Sequence, residues 1–204
     1  VLPTFPGSDD EVDDVVVVDG NITFLFSAKA RLMEEPIARW ARSPRGVMDW
    51  YEKYFFDAGN DDFRAGAVRQ FDSRIQRIRV GVHPQVPKDN RIVPILVTYD
   101  SLCEEFLLYD WLDRRNKECG LLQQENVSPL SLAHVDDFER LMARAHHGRS
   151  LRDFFRIREE RWKGRRLESQ LGGYEPEDRL PQVAHSFETM MSVLAERFGS
   201  RSTT

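Results

Sequence analysis

Cysteine is almost missing from this chain: Cys103 and Cys119 are the only two among 204 residues. Both fall on one predicted helix, too far apart along it to bridge, so a disulfide framework is excluded and the composition suits a reducing cytoplasm. Long apolar runs are missing too. None approaches the length of a membrane span, and no signal-peptide pattern is present. The chain opens Val-Leu-Pro rather than Met, a start expected of a processed end, a cloning boundary or a domain excised from something longer. An excess of positive charge is also lacking. The formal net charge is -5, which argues against coating nucleic acid by bulk electrostatics and leaves room only for a local basic groove. A glycine-rich phosphate loop, a serine nucleophile elbow and a Cys/His pair in a diagnostic context do not occur. His83, His134 and His185 stand alone without zinc-ligand spacing. His146 and His147 fit a predicted helix end, where a cation meets the favourable pole of the dipole.

What is present suffices for one good core with a helical appendage, since 41% of the residues are hydrophobic. The most informative stretch is DDVVVVDGNITFLFSAK, ending at Lys29. Val15 to Val18 and Ile22 to Phe26 are β-branched or aromatic runs on either side of Asp19-Gly20-Asn21. That turn cluster permits positive φ and reverses the chain tightly, so two adjacent antiparallel strands are expected. With Gly20 and Asn21 as the central turn residues, counting back along the ladder sets Asp14 opposite Ser27 and Lys29 opposite Val12. Alternation by two then places Asp14, Ser27 and Lys29 on one face. The other face of the second strand, Ile22, Phe24, Phe26 and Ala28, is apolar throughout and should be covered by helices.

From Arg31 to Phe56 a helical or irregular segment interleaves Trp40, Trp50, Tyr51, Tyr54, Phe55 and Phe56 with Arg39, Arg42, Arg45 and Lys53. Aromatics beside arginines can stack on bases and contact phosphates, but a packing face with solvated charges is the commoner outcome and the expectation here. Ala65 to Val80 reads as an amphipathic helix with Val68, Phe71, Ile75 and Ile78 inward, stopped by Gly81. Its remaining positions, Arg69, Gln70, Arg74, Gln76, Arg77 and Arg79, form a basic, amide-bearing surface suited to phosphates, for which a solvated face is the default alternative. A strand follows from Arg91 to Tyr99, with Pro94 expected near its beginning or on an unpaired side. Ser101 to Glu104 is a capping box for a helix running through Cys119 and closed by Gly120. A short strand, Pro129 to Val135, precedes a helix capped by Asp136 and ended by Gly148. Leu151 to Leu171 is helical and strongly charged, and GGYEPEDRLP leads to a last helix, Gln182 to Phe198.

The order hairpin, helix, strand, helix resembles the core of the PD-(D/E)XK nuclease superfamily, the restriction-endonuclease-like fold. The resemblance covers Val12 to Thr98, under half of the chain, and rests on a short motif. It implies an α/β fold with a mixed sheet flanked by helices: a nuclease-like core over residues 1–148, without the family's first helix, and a helical C-terminal extension over 149–204. By resemblance Asp14 matches the metal-binding aspartate and Lys29 the lysine that orients or activates water. Gln70 is similar to the helical amide of some branches. The resemblance further implies Mg²⁺ or Mn²⁺ as cofactor and DNA or RNA as substrate, with Arg69, Arg74 and Arg77 as nucleic-acid contacts. Attack on a phosphodiester needs a positioned hydroxide and neutralisation of developing charge, which a carboxylate-held divalent ion supplies.

Two departures stand out. Where the family has an acid two residues before the lysine, this chain has Ser27, and a neutral hydroxyl binds hard cations weakly. The second anionic ligand would have to come from Asp13, Glu11, Glu34 or Asp72. The family's opening helix, which carries a further Glu, is either missing or supplied by a partner.

Three functions therefore compete. One is a metal-dependent nuclease. Another is a degenerate nuclease-like domain that binds nucleic acid or a protein through its arginine-rich helices, and the third is an assembly subunit whose Trp40 to Phe56 segment fills a partner's groove.

Overall fold

The computed structural model describes residues 15–29, 44–58, 65–98, 106–161 and 167–172. Gly20 and Asn21 form a two-residue loop in which Gly20 takes φ 61°, a left-handed conformation that costs glycine little. The loop joins β1 (Val16–Asp19) to antiparallel β2 (Ile22–Lys29). The register runs from Val16 opposite Leu25 to Asp19 opposite Ile22, and a 3.0 Å bond from the Phe26 N–H to the Val15 carbonyl continues it. This is the register counted from the turn.

The chain continues through α1 (Pro44–Phe56), α2 (Ala67–Arg79), β3 (Arg91–Thr98), α3 (Phe106–Cys119), β4 (Ser131–His134), α4 (Val135–His146), α5 (Leu151–Arg161) and α6 (Leu167–Leu171). The strands lie in the order β1-β2-β3-β4, with β2, β3 and β4 mutually parallel. The fold is thus α/β: an open, mixed four-stranded sheet with helices on both faces. Among the described residues no helix is long and apolar enough to cross a membrane.

Side-chain alternation decides which helices cover which face. Ile22, Phe24 and Phe26 join Val93, Ile95 and Val97 in a core closed by Leu141 of α4, Leu151 and Phe155 of α5, and Leu167 and Leu171 of α6. Ile22, Phe24 and Phe26 are covered by helices as expected, by Leu141 and by residues from the expected C-terminal extension, whereas Ala28 at the end of the same face is exposed. Leu25, Ile92, Leu96 and Leu132 point the other way, into a core built with α1, α2 and α3. There Val68, Phe71, Ile75 and Ile78 are all essentially buried, the inward face read from their spacing.

Aromatic residues of α1 belong to this second core. Tyr51, Phe55 and Phe56 are buried, and Trp111 of α3 packs edge-on to Phe56 with ring centroids 5.6 Å apart. Trp50 and Tyr54 are partly buried and stack on each other at 4.8 Å. For these residues the segment is a packing face of its own fold; Trp40 lies outside the described residues.

Two local features differ from simple expectation. Helix α4 is capped by His134, whose Nδ1 accepts from the Asp136 N–H at 3.3 Å, and not by Asp136 itself. The last strand residue already has the extended backbone that a cap requires, so β4 passes into α4 without a loop. The second feature is at Pro94, which is buried in mid-strand. Strand β3 pairs with β2 along its whole length but with β4 only from Ile95 onward. The Ile92 N–H and C=O both face the β4 side, bonding to Asn126 O and Ser128 N at 2.8 Å each. Two residues on, Pro94 turns the same edge that way and has no N–H to offer. Between the Ile92–Val127 bridge and the Ile95–Ser131 pair, the stretch Ser128 to Leu130 bulges opposite Val93 and Pro94. Pro94 thus sits on an unpaired side, as a missing donor demands. The capping box at Ser101 to Glu104, Cys103, and the helix expected from Gln182 lie outside the described residues.

Candidate functional site

Asp14 lies outside the described residues, as does the side chain of Lys29, whose backbone pairs with Thr98 at the end of β2. Ser27 is described. It stands opposite Leu96 on β3 and is 3% exposed, on the Leu25 side of the sheet that α1, α2 and α3 cover. The position where the family pattern asks for an acid is therefore a buried, neutral one.

Helix α2 runs back against the strands. Its last residue, Arg79, reaches the start of β3 and donates to the carbonyls of Lys88, Asn90 and Glu125. Gln70, near the opposite end, accordingly lies toward the end of the sheet where β2 finishes. Its Nε2 donates to Ala65 O at 2.8 Å, turning the amide back on its own helix start.

Asp72 is the described candidate for the missing acid. It is 5% exposed and its carboxylate is engaged from three sides: by the Leu122 N–H at 2.7 Å, Gln124 Nε2 at 2.8 Å and Gln76 Nε2 at 2.6 Å. The first two of these bonds tie α2 to the loop after α3. A carboxylate so satisfied is a structural anchor, and moving it onto a cation would leave buried donors unpaired. Among the described residues no three His, Cys, Asp or Glu side chains group as metal ligands. With Ser27 neutral and Asp72 committed, the described residues do not make up a divalent-cation centre.

Arg69 donates from Nε to Phe56 O at 2.7 Å, satisfying a terminal carbonyl of α1. Arg79 is held by carbonyls as above. His83, in the turn after α2, lies within the field of Arg77 and Arg74. Burial, then the Arg77 and Arg74 charges, hold the His83 imidazole below its ordinary range. A histidine lowered in this way is neutral in the fold where the unfolded chain would already take up a proton. Its stabilising contribution is complete above about pH 6.5 and is lost as pH falls from there toward the lowered folded value. Replacing it, as His83→Gln, should flatten the loss of stability between pH 7 and pH 5, measured by urea unfolding at both. An unchanged pH dependence would contradict this placement.

The bulge beside Pro94 opens a cavity of about 230 Å³ at the β4 edge, where α3 and α5 approach from the two faces of the sheet. Arg158 of α5 lines it, 4% exposed, donating to Ser131 Oγ at 3.4 Å and Tyr109 Oη at 3.2 Å. Its guanidinium also lies 5.8 Å from the centre of the Tyr109 ring. Tyr109 Oη in turn meets both the N–H and the carbonyl of Leu132, at 3.3 and 3.4 Å, covering part of the sheet's edge. Asn116 of α3 also lines the cavity, 5% exposed, and its Oδ1 has no hydrogen-bond partner among the described residues. Sequence reading missed this group, because only a proline inside a strand hinted at an opening there. Compared with protein-family models, curated proteins and solved structures, the chain matches none of them.

Proposed function

We propose that this chain is a restriction-endonuclease-like domain of the PD-(D/E)XK kind that binds nucleic acid through its phosphates and has lost metal-dependent cleavage. The observation that carries the loss is Ser27, a neutral side chain 3% exposed where the family pattern needs an anionic ligand. The saturated carboxylate of Asp72 supports it, since the described acid nearest in sequence to the helical amide cannot replace the missing one without breaking three hydrogen bonds. For binding, the support is the arginine-bearing face of α2, where the charges of Arg77 and Arg74 reach His83. A phosphate there would meet two guanidinium groups and an imidazole whose protonation it would favour.

The second reading is an active Mg²⁺- or Mn²⁺-dependent nuclease using Asp14, Lys29 and an acid from outside the described residues. The register of β1 on β2 favours it, because the same ladder extended would set Asp14 opposite Ser27.

Fluorescence anisotropy with a labelled single strand and a duplex, titrated over a range of salt, tests the binding reading. The double variant Arg74→Ala/Arg77→Ala should weaken binding on the order of tenfold at low salt and flatten the salt dependence by roughly one unit of slope for each phosphate no longer neutralised. Wild-type affinity and slope in the double variant would show that this arginine face does not hold nucleic acid.

A further inference from the structure

The charged groups on the wall of the β4-edge cavity are already engaged or face solvent. Arg158 is held by Ser131 and Tyr109, Glu159 is paired with Arg91, and Asp113 with Lys117 at 2.7 Å. Asp110 is exposed, where water and salt screen it. A charged ligand would give up its hydration there without gaining a counter-ion of its own, so the wall selects against one. What it leaves open is neutral. Asn116, 5% exposed, makes no side-chain hydrogen bond with any described residue: its Oδ1 is buried without a donor, and its Nδ2 donates to none of them. Ser128 and Ser131, 4% and 7% exposed, each accept from an arginine, Ser128 Oγ from Arg91 Nε at 3.1 Å. An accepting hydroxyl keeps its own O–H to give, and neither serine finds an acceptor among the described residues. Buried polar groups left in this state are costly until something pairs with them. Between them the walls are apolar: Val93, Leu112, Leu130 and Phe155.

We propose that this cavity binds a small uncharged carboxamide that carries an apolar group. The ligand's amide meets the Asn116 amide head to head, each giving an N–H to the other's carbonyl oxygen. Such a pair forms whichever way the Asn116 amide is turned. The second lone pair of the ligand's carbonyl takes the O–H of Ser128 or Ser131, and the apolar group lies against Phe155 and the aliphatic wall. A cavity of about 230 Å³ is small beside ordinary ligand pockets and admits a single ring or a short branched chain. Ser128 stands in the bulge opposite Pro94, so the site originates in a strand residue without an N–H. It owes nothing to the arginine face of α2 and stands whether or not the chain holds nucleic acid.

Benzamide, benzoate and benzamidinium share nearly one shape and differ in charge, so titrating the full chain with each, its backbone amides followed by NMR, tests this. Benzamide should shift the amides of Asn116, Ser128 and Ser131 saturably. Benzoate and benzamidinium should each bind at least about tenfold more weakly, the scale of one unpaired charge or lost hydrogen bond. Toluene, which has the ring and no amide, should be weaker by a similar factor. In Asn116→Leu, a side chain of similar volume, benzamide should lose its advantage over toluene while thermal unfolding stays cooperative. Because the ligand series is run on the unaltered protein, a folding failure of the variant would not protect the proposal. Absence of a saturable shift with benzamide and isovaleramide alike, or equal affinity for benzoate, benzamidinium or toluene, would overturn it.

Discussion

Replacing the buried hydroxyl with a carboxylate, as Ser27→Glu, is expected to destabilise the metal-free protein by about 3–5 kcal/mol, the scale of an uncompensated charge in a packed interior. For a chain of this size that lowers the melting temperature by roughly 10 °C. The direction follows from position 27 itself: opposite Leu96, on the sheet face packed by three helices, and 3% exposed. Added Mn²⁺ then separates two situations. If the ladder continues so that Asp14 shares the site, the two carboxylates hold the ion and much of the stability returns, about 2.7 kcal/mol at a concentration one hundred times the dissociation constant. Ser27→Ala, which adds no charge, should unfold close to the wild type. A metal-free Ser27→Glu variant as stable as the wild type would show that position 27 is not interior. Destabilisation with no recovery in Mn²⁺ would show that no second carboxylate converges there, and would count against a nuclease-like ancestry.

The second large effect is expected at Gly66, where capping preference and packing make opposite predictions. Gly66 is the N-cap of α2 with φ -61°, a conformation open to any residue, so its backbone does not require glycine. By capping chemistry alone, serine there should help. Space decides otherwise. A Cβ at this position would stand 2.4 Å from the carbonyl carbon of Phe55 and 2.5 Å from Phe55 O and Phe56 N. Those atoms form the last turn of α1, fixed by the buried side chains of Phe55 and Phe56 and by the bond from Gly66 N to Asp57 O at 2.8 Å. Backbone so held cannot yield cheaply. Both Gly66→Ala and Gly66→Ser should therefore lose about 2–4 kcal/mol in urea unfolding, the range of severe overpacking. A stabilised serine variant would mean that α1 and α2 do not meet as closely as described.

Much of the scaffold is legible in the residues because short-range physics fixes it. The turn at Gly20-Asn21 permits only a tight reversal, so the register of β1 on β2 follows by counting. The spacing of Val68, Phe71, Ile75 and Ile78 fixes the buried face of α2. Pro94 announces an unpaired side. What the residues do not disclose is how long-range partners use their polar groups. Arg69 looks like a phosphate ligand in isolation, but a helix end brought beside it by folding offers an orphan carbonyl, and Phe56 O takes the guanidinium. Asp72 looks like a spare acid, yet three donors, two of them from the loop after α3, surround it. Tyr109 and Arg158 are 49 residues apart and meet only because the helices carrying them converge around one edge of the sheet. Periodicity tells which face is buried; it does not say which carbonyl or hydroxyl will stand opposite a given side chain.

We propose a nuclease-like scaffold that holds nucleic acid without cutting it. A single native gel, with labelled DNA or RNA incubated at low salt in millimolar Mn²⁺ and sampled over hours, tests that directly. The predicted result is a retarded complex from which full-length strands are recovered at every time point. Accumulating cleavage products that require Mn²⁺ and vanish in Lys29→Ala would contradict it, and so would the lack of any retarded complex.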